Sequence, residues 1–270
     1  EVERLVESGV REVMLLGQNV NSYGLDRDDN VLFPELLDRV DAVEGLERIR
    51  FTTSHPVDCT DELIQRFDGR LPTLCEYFHL PVQSGSDRVL DEMRRGYTAE
   101  QYLERARRLR ETCPELHIST DIIVGFPGET REDFEKTLEL MKIVRFDSVY
   151  GFKYSKRQNT TAARVPDDVS EVEKKARLAE VLALADSLRA ERLKEYAGTV
   201  QQVLVEGPSK QSKNSLNKPQ MSGRSRSNVV VNFPVDNAAV GAWRFVGKTI
   251  DVEIKRTLSH SLYGEVVLVQ

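Results

Sequence analysis

His79-Leu-Pro-Val-Gln-Ser-Gly-Ser86 and, forty residues on, Asp121-Ile-Ile-Val-Gly-Phe-Pro-Gly-Glu129 decide how this chain is read. Each runs from a short apolar, strand-like core into a Gly/Pro turn bearing polar side chains, and each is followed by a helical pattern. A β/α barrel displays a ligand site in this way, at the C-terminal ends of its parallel strands. The same grammar extends on both sides. Strands are predicted at residues 12–16, 48–52, 76–80, 117–124 and 148–153, and helices at 33–43, 60–67, 86–93, 99–112 and 131–144. Strands alternating with helices of this length imply a parallel sheet, because parallel neighbours need crossover connections.

A longer helix is expected from the capping signal Ser170-Glu-Val-Glu173 through Tyr196. Beyond Gly198 the pattern changes to alternation, with strands predicted at 200–205, 229–233, 250–254 and 265–269 between Gly, Ser, Asn and Pro turns. They read as antiparallel, with a Ser/Asn/Lys-rich loop over 209–228. The division is thus an α/β domain over 1–195 and a small all-β domain over 196–270.

The chain has 270 residues, 40% hydrophobic and 30% charged, enough for one large domain or two, and its net charge is -6. Such a balance argues against wholesale binding of polyanions, but residues 207–235 reverse it locally. They carry Lys210, Lys213, Lys218, Arg224 and Arg226 and no acid. That stretch suits phosphate contacts, with Lys255, Arg256 and His260 as additions and Phe233 and Trp243 as either core or base-stacking residues. No apolar run approaches the roughly 20 residues that cross a bilayer, so no membrane partner is expected. Cys59, Cys75 and Cys113 lack framework or local metal spacing, read as buried or capping thiols, and suit a reducing compartment such as the cytoplasm.

Together with Gly17-Gln-Asn-Val-Asn21, Thr53-Ser-His-Pro56 and Met93-Arg-Arg-Gly-Tyr-Thr98, in that order, the two opening stretches resemble the radical S-adenosylmethionine methylthiotransferases, and most closely the branch that acts on tRNA. The resemblance implies a partial (β/α) barrel of six strands followed by an OB-like TRAM domain. It also implies a cysteine loop, C-x-x-x-C-x-x-C, whose three thiolates hold a 4Fe-4S cluster with one iron open to the amino and carboxylate groups of the cofactor. This chain has no such loop, and it opens at Glu1 within a helical pattern of Val2, Leu5, Val6 and Val10. The expectation is a segment that carries five barrel strands, with the cluster ligands and first strand lying upstream.

By the same resemblance, S-adenosylmethionine would meet the turns after successive strands. Gln18 and Asn19 would face its amino group, and Gln83, Ser84 and Ser86 its ribose, since neutral groups that donate and accept suit hydroxyls. Arg95, with Arg94 as the alternative, would fork the methionine carboxylate. Asp121, Gly125 and Phe126 would flank the adenine, where glycine lets backbone approach a flat ligand. Each has a plainer reading: a turn asparagine, helix capping by Ser86, or a structural carboxylate at Asp121. His55 is read as hydrogen-bonded within the site, and His79, His117 and His260 show no ligand spacing. One segment departs from the family: Tyr154-Ser-Lys-Arg-Gln-Asn-Thr-Thr-Ala162 lacks the prolines and glycine usual there.

The implied activity is insertion of a methylthio group at C2 of the isopentenylated adenosine beside the tRNA anticodon. Its partners would be the anticodon stem-loop and an electron donor such as flavodoxin or ferredoxin, with a second 4Fe-4S cluster on an upstream domain. Two alternatives stand beside it: the same chemistry on a ribosomal-protein aspartate, and an RNA-binding module without catalysis. Val205-Glu-Gly-Pro-Ser209, Ser222-Gly-Arg224 and Val230-Val-Asn-Phe233 favour the tRNA branch.

Overall fold

A computed structural model describes residues 1–26, 31–156, 165–210, 220–235 and 242–267, with the side chains of Ala242 and Trp243 excepted. Five parallel strands form the first domain: β1 (Glu12–Leu15), β2 (Arg48–Phe51), β3 (Tyr77–His79), β4 (His117–Val124) and β5 (Ser148–Lys153). β1 pairs with β2, and β3 with β4 and β4 with β5. A bridge between Ile49 and Leu74 joins the two groups into one curved wall. The five strands fall where the alternating pattern placed them.

The two faces of this wall differ in chemistry. On the outer face Val13, Ile49, Phe51, Phe78, Ile118, Ile122 and Val124 are buried in one continuous core. They pack beneath α2 (Phe33–Asp41), α3 (Asp61–Gln65), α5 (Ala99–Thr112), α6 (Arg131–Val144) and α7 (Glu171–Lys194). Phe33, Phe51, Phe67 and Phe78 meet in successive ring contacts of 5.0 to 6.1 Å, and truncating one such ring costs about 3–5 kcal/mol. The short helices α1 (Val2–Glu7) and α4 (Asp87–Glu92) flank the wall. Val2, Val6 and Val10 rest against the core while Leu5 is exposed.

The inner face reads differently. Because strand side chains alternate, it carries Glu12 and Met14 of β1, Arg48 and Arg50 of β2, Tyr77 and His79 of β3, His117, Ser119 and Asp121 of β4, and Ser148, Tyr150 and Phe152 of β5. Gly151 fixes the sense of β5: a Cβ there would lie 2.8 Å from Leu178 of α7. Its neighbours Tyr150 and Phe152 therefore face the lumen, and they are 48% and 50% exposed. Parallel sheets normally bury apolar side chains on both faces; a polar, partly open inner face is the architecture of a ligand cavity.

After α7 the chain builds a closed five-stranded barrel from β6 (Val200–Pro208), β7 (Gln220–Ser225), β8 (Val230–Pro234), β9 (Thr249–Thr257) and β10 (Leu262–Val266), ordered β10-β8-β7-β6-β9. Two corrections to the sequence reading follow. β7 occupies part of what reads as a loop, because its Ser, Gly and Arg residues hide an alternation in which only Met221, Gly223 and Ser225 are buried. The pairing is also not wholly antiparallel, since β8 and β10 run parallel, which closes the barrel. Gly223 permits the tight curvature, as a Cβ there would sit 2.2 Å from the Leu204 carbonyl oxygen.

The small barrel is fastened to the N-terminal ends of the parallel strands. Arg48 and Arg50, 2% and 1% exposed, donate to the carbonyls of Gln202, Arg224, Ser225 and Arg226 at 2.7–2.9 Å. Arg226 reaches back to Glu76 and the Leu74 carbonyl. Thr249 donates to Glu47.

Candidate active site

At the opposite, C-terminal end of the strands the backbone is held in unusual conformations. Thr53 has φ +61° and Gln83 has φ +69°, positions that L-residues with a Cβ rarely adopt and that are maintained where surrounding contacts impose them. The Thr53 hydroxyl donates to the Gly17 carbonyl, and its carbonyl accepts from Val20 N–H at 3.1 Å. This ties the turn after β1 to the turn after β2. Gln83 bridges to β4, donating to Asp121 O and accepting from Ile123 N–H, both at 2.9 Å.

Within this rim Asn21 clasps the His55 backbone in both directions, at 2.8 and 2.9 Å. Asn19 donates to Asp58 at 2.6 Å, and its Oδ1 is buried without a partner. The His55 ring lies edge-on to Tyr97 at 5.7 Å, and Tyr97 in turn donates to the Val82 carbonyl at 2.9 Å, next to Gln83. Burial and the Arg95 cation hold His55 below its ordinary value, opposed by Asp58. Arg95 itself makes no side-chain hydrogen bond or ion pair among the described residues, and its Nε is buried without a partner. The rim thus presents an unpaired guanidinium and a buried amide oxygen within one contact network, the complement of a carboxylate and an ammonium on one carbon. Gln18 is exposed beside it.

Other candidates have different surroundings. Ser84 and Ser86 are turned to α6: Ser84 lies 3.4 Å from the Thr137 hydroxyl, and Ser86 donates to Asp133 at 2.6 Å. Ser86 stands at the start of α4 without capping it. The Gly125 position, φ +70°, is walled by Lys174 of α7, whose Cγ would lie 2.3 Å from an added Cβ. Gly125 N–H donates to Glu129, which pairs with Arg177 at 2.6 Å. Phe126 stacks edge-on to Tyr154 at 5.2 Å. Asp121 faces the lumen opposite His79. Residues 157–164 of the departing loop lie outside the described residues.

In the small barrel, Lys213 and Lys218 also lie outside the described residues. Lys210, Lys255 and Arg256 are exposed; Lys255 pairs with Glu253 at 2.6 Å and Arg256 covers Tyr263. Arg224 pairs with Glu206 at 2.9 Å. Arg226 is committed to Glu76, so its place in the basic stretch reflects domain docking, a role that charge counting along the sequence does not separate from phosphate binding. Phe233 is fully buried in the core. Cys59 and Cys75 are buried, and burial pushes the Cys59 thiol up to about 12 and Cys113 up to about 11. Among the described residues no cluster of His, Cys, Asp or Glu is arranged to hold a metal ion.

Residues 1–141 match the model of the radical SAM superfamily. The chain belongs to that superfamily. Residues 194–267, the closed barrel, match the TRAM domain. The radical SAM chain is 49% identical over 269 residues to the tRNA-2-methylthio-N(6)-dimethylallyladenosine synthase of Syntrophobacter fumaroxidans, covering 99% of this chain and 56% of that protein. It is 48% identical to the protein of the same name from Pasteurella multocida, covering 99% and 54%, and 45% identical to that of Natranaerobius thermophilus, covering 98% and 56%. The chain therefore spans little more than half the length of these relatives. Among solved structures, coproporphyrinogen III oxidase from Escherichia coli, a radical SAM enzyme, superposes with a TM-score of 0.52 at 12% identity, covering 100% of this chain and 64% of that one. That likeness concerns the fold alone.

Proposed function

We propose that this chain is the greater part of the radical SAM barrel, with the TRAM domain, of a tRNA methylthiotransferase that modifies C2 of N6-isopentenyladenosine beside the anticodon. The observation that carries the reading is the rim network of Asn19, His55, Asp58 and Arg95, set at the C-terminal ends of parallel strands in a chain nearly half identical to synthases of that name. A reduced 4Fe-4S cluster with S-adenosylmethionine bound at this rim would supply radical chemistry.

The chain's own residues bind and orient. Arg95 would take the methionine carboxylate and the Asn19 amide oxygen the ammonium, each contact satisfying an atom that is buried without a partner. Gln18 adds a neutral contact at the same turn, and Gln83 lies beside it along the rim. Ser84 holds the Gln83 turn against α6, and Gly125 and Phe126 shape the far rim. Lys210, Lys213, Lys218, Arg224, Lys255 and Arg256 supply phosphate contacts on the TRAM barrel, which docks the anticodon stem-loop. Flavodoxin or ferredoxin is the class of electron donor.

Full-length protein, reconstituted with its clusters and reduced, is offered an isopentenylated anticodon stem-loop and, separately, the ribosomal-protein peptide. Formation of 5′-deoxyadenosine together with a methylthio group on the RNA supports the proposal. Modification of the peptide alone overturns it.

A further inference from the structure

Halfway down the lumen wall, behind the rim, runs a file of hydrogen-bonded side chains from β3 and β4. Ser119 donates its hydroxyl proton to the Tyr77 oxygen at 2.9 Å. The same Ser119 oxygen lies 2.9 Å from His79 Nδ1. A hydroxyl has one proton, so with that proton given to Tyr77 the serine oxygen accepts from His79, and Nδ1 carries the hydrogen. Ser119 thereby sets the tautomer of His79 from within the wall.

The consequence lies at Nε2. In the neutral ring it holds a lone pair, and it stands 3.7 Å from Asp121 Oδ2, a carboxylate oxygen 28% exposed on the same inner face. Two acceptors facing each other at that spacing are complementary to one shared N–H donor. Beside them Tyr150, whose ring centre is 6.0 Å from that of His79, and Phe152 expose half their surface to the lumen. Exposed rings next to convergent acceptors match a flat base that presents an exocyclic N–H.

We propose that His79, Asp121 and Tyr150 form a nucleobase subsite that takes the exocyclic N–H of an adenine-type base, and that this base is the target of modification rather than the adenine of the cofactor. The assignment to the target rests on the function proposed above, and on place: the cofactor's partners sit at the rim, whereas this pair lies deeper on the wall. The single N6–H of a mono-alkylated adenine is shared between Nε2 and Oδ2 while the ring lies along Tyr150.

Three measurements test it. Nitrogen-15 imidazole spectra of the chain should show His79 protonated at Nδ1 in its neutral form; an Nε2–H tautomer overturns the proposal. N6-isopentenyladenosine should bind the full-length protein at least tenfold more tightly than its N6-methylated derivative, which has no N–H. Asp121→Asn and His79→Gln should erase that difference while leaving S-adenosylhomocysteine binding within twofold. Equal binding of the two nucleosides by the parent protein overturns the subsite without any variant having to fold, and loss of S-adenosylhomocysteine affinity in both variants reassigns it to the cofactor and overturns it as stated. A protein that discriminates the nucleosides but never methylthiolates RNA would remove the proposed function instead.

Discussion

Arg226 of the TRAM barrel grips Glu76, just before β3, with Nε and Nη2 at 2.8–3.0 Å from the carboxylate oxygens. With Arg48 and Arg50 donating in the opposite direction to TRAM carbonyls, the two domains are laced by guanidinium groups whose acceptors lie across the seam. Removing one partner leaves a desolvated charge or carbonyl unpaired, which is costlier than never having made the contact. Arg50→Ala should therefore lower stability by about 2–4 kcal/mol and split one cooperative unfolding transition into two. Calorimetry showing a single unshifted transition would contradict this.

His117 provides a pH signature of the same seam. Burial drives its imidazole down to about 4, reinforced by Arg189, Arg192 and Arg110 and opposed by Asp147. The unfolded chain binds that proton near pH 6.5, so between about 6.5 and 4 it holds more protons than the folded one, and stability falls as pH is lowered. The loss is on the order of 3 kcal/mol over that window. His117→Asn should flatten the slope of denaturant midpoint against pH there; an unchanged slope would show that other groups govern it.

At the rim the sign is set by a neighbour. Burial and Arg95 both depress His55, so Arg95→Ala should raise its midpoint in a proton NMR titration, whereas Asp58→Asn should lower it further. The same Arg95→Ala change should weaken S-adenosylmethionine binding by tenfold or more, as a charged hydrogen bond contributes about 1.5–3 kcal/mol. Unaltered affinity would remove Arg95 from the carboxylate role.

RNA contacts divide by geometry. Lys255→Ala and Arg256→Ala should each weaken stem-loop binding and reduce the steepness of its salt dependence, because each contact releases counterions. Arg226→Ala should leave that steepness unchanged, since its fork is spent on Glu76. An equal drop in steepness for all three would show that Arg226 leaves the seam to meet phosphate.

How much of this was legible beforehand follows from which signals are local. The five parallel strands are marked by apolar cores ending in Gly/Pro turns, and α5 and α6 fall on residues 99–112 and 131–144 because Thr98 and Thr130 complete capping boxes with Gln101 and Asp133. β7 escaped because its buried positions are Met, Gly and Ser. Side-chain direction was less readable than position. Ser84 and Ser86 share the turn of Gln83 yet meet Thr137 and Asp133, partners some fifty residues on, with 53 residues from Ser84 to Thr137 and 47 from Ser86 to Asp133. Tyr150 and Phe152 carry a period-two signal around Gly151, but only the contact of that glycine with α7 says which side is the lumen. His79 has no ligand spacing because its partners, Ser119 and Asp121, lie on the next strand.

The nucleosides of total tRNA from cells with and without the gene give the most direct measure of what the intact protein does. The account predicts that deletion leaves N6-isopentenyladenosine without its methylthio derivative, that the full-length gene restores the derivative, and that the Arg95→Ala gene does not. Undiminished methylthio nucleoside in the deletion strain would contradict it.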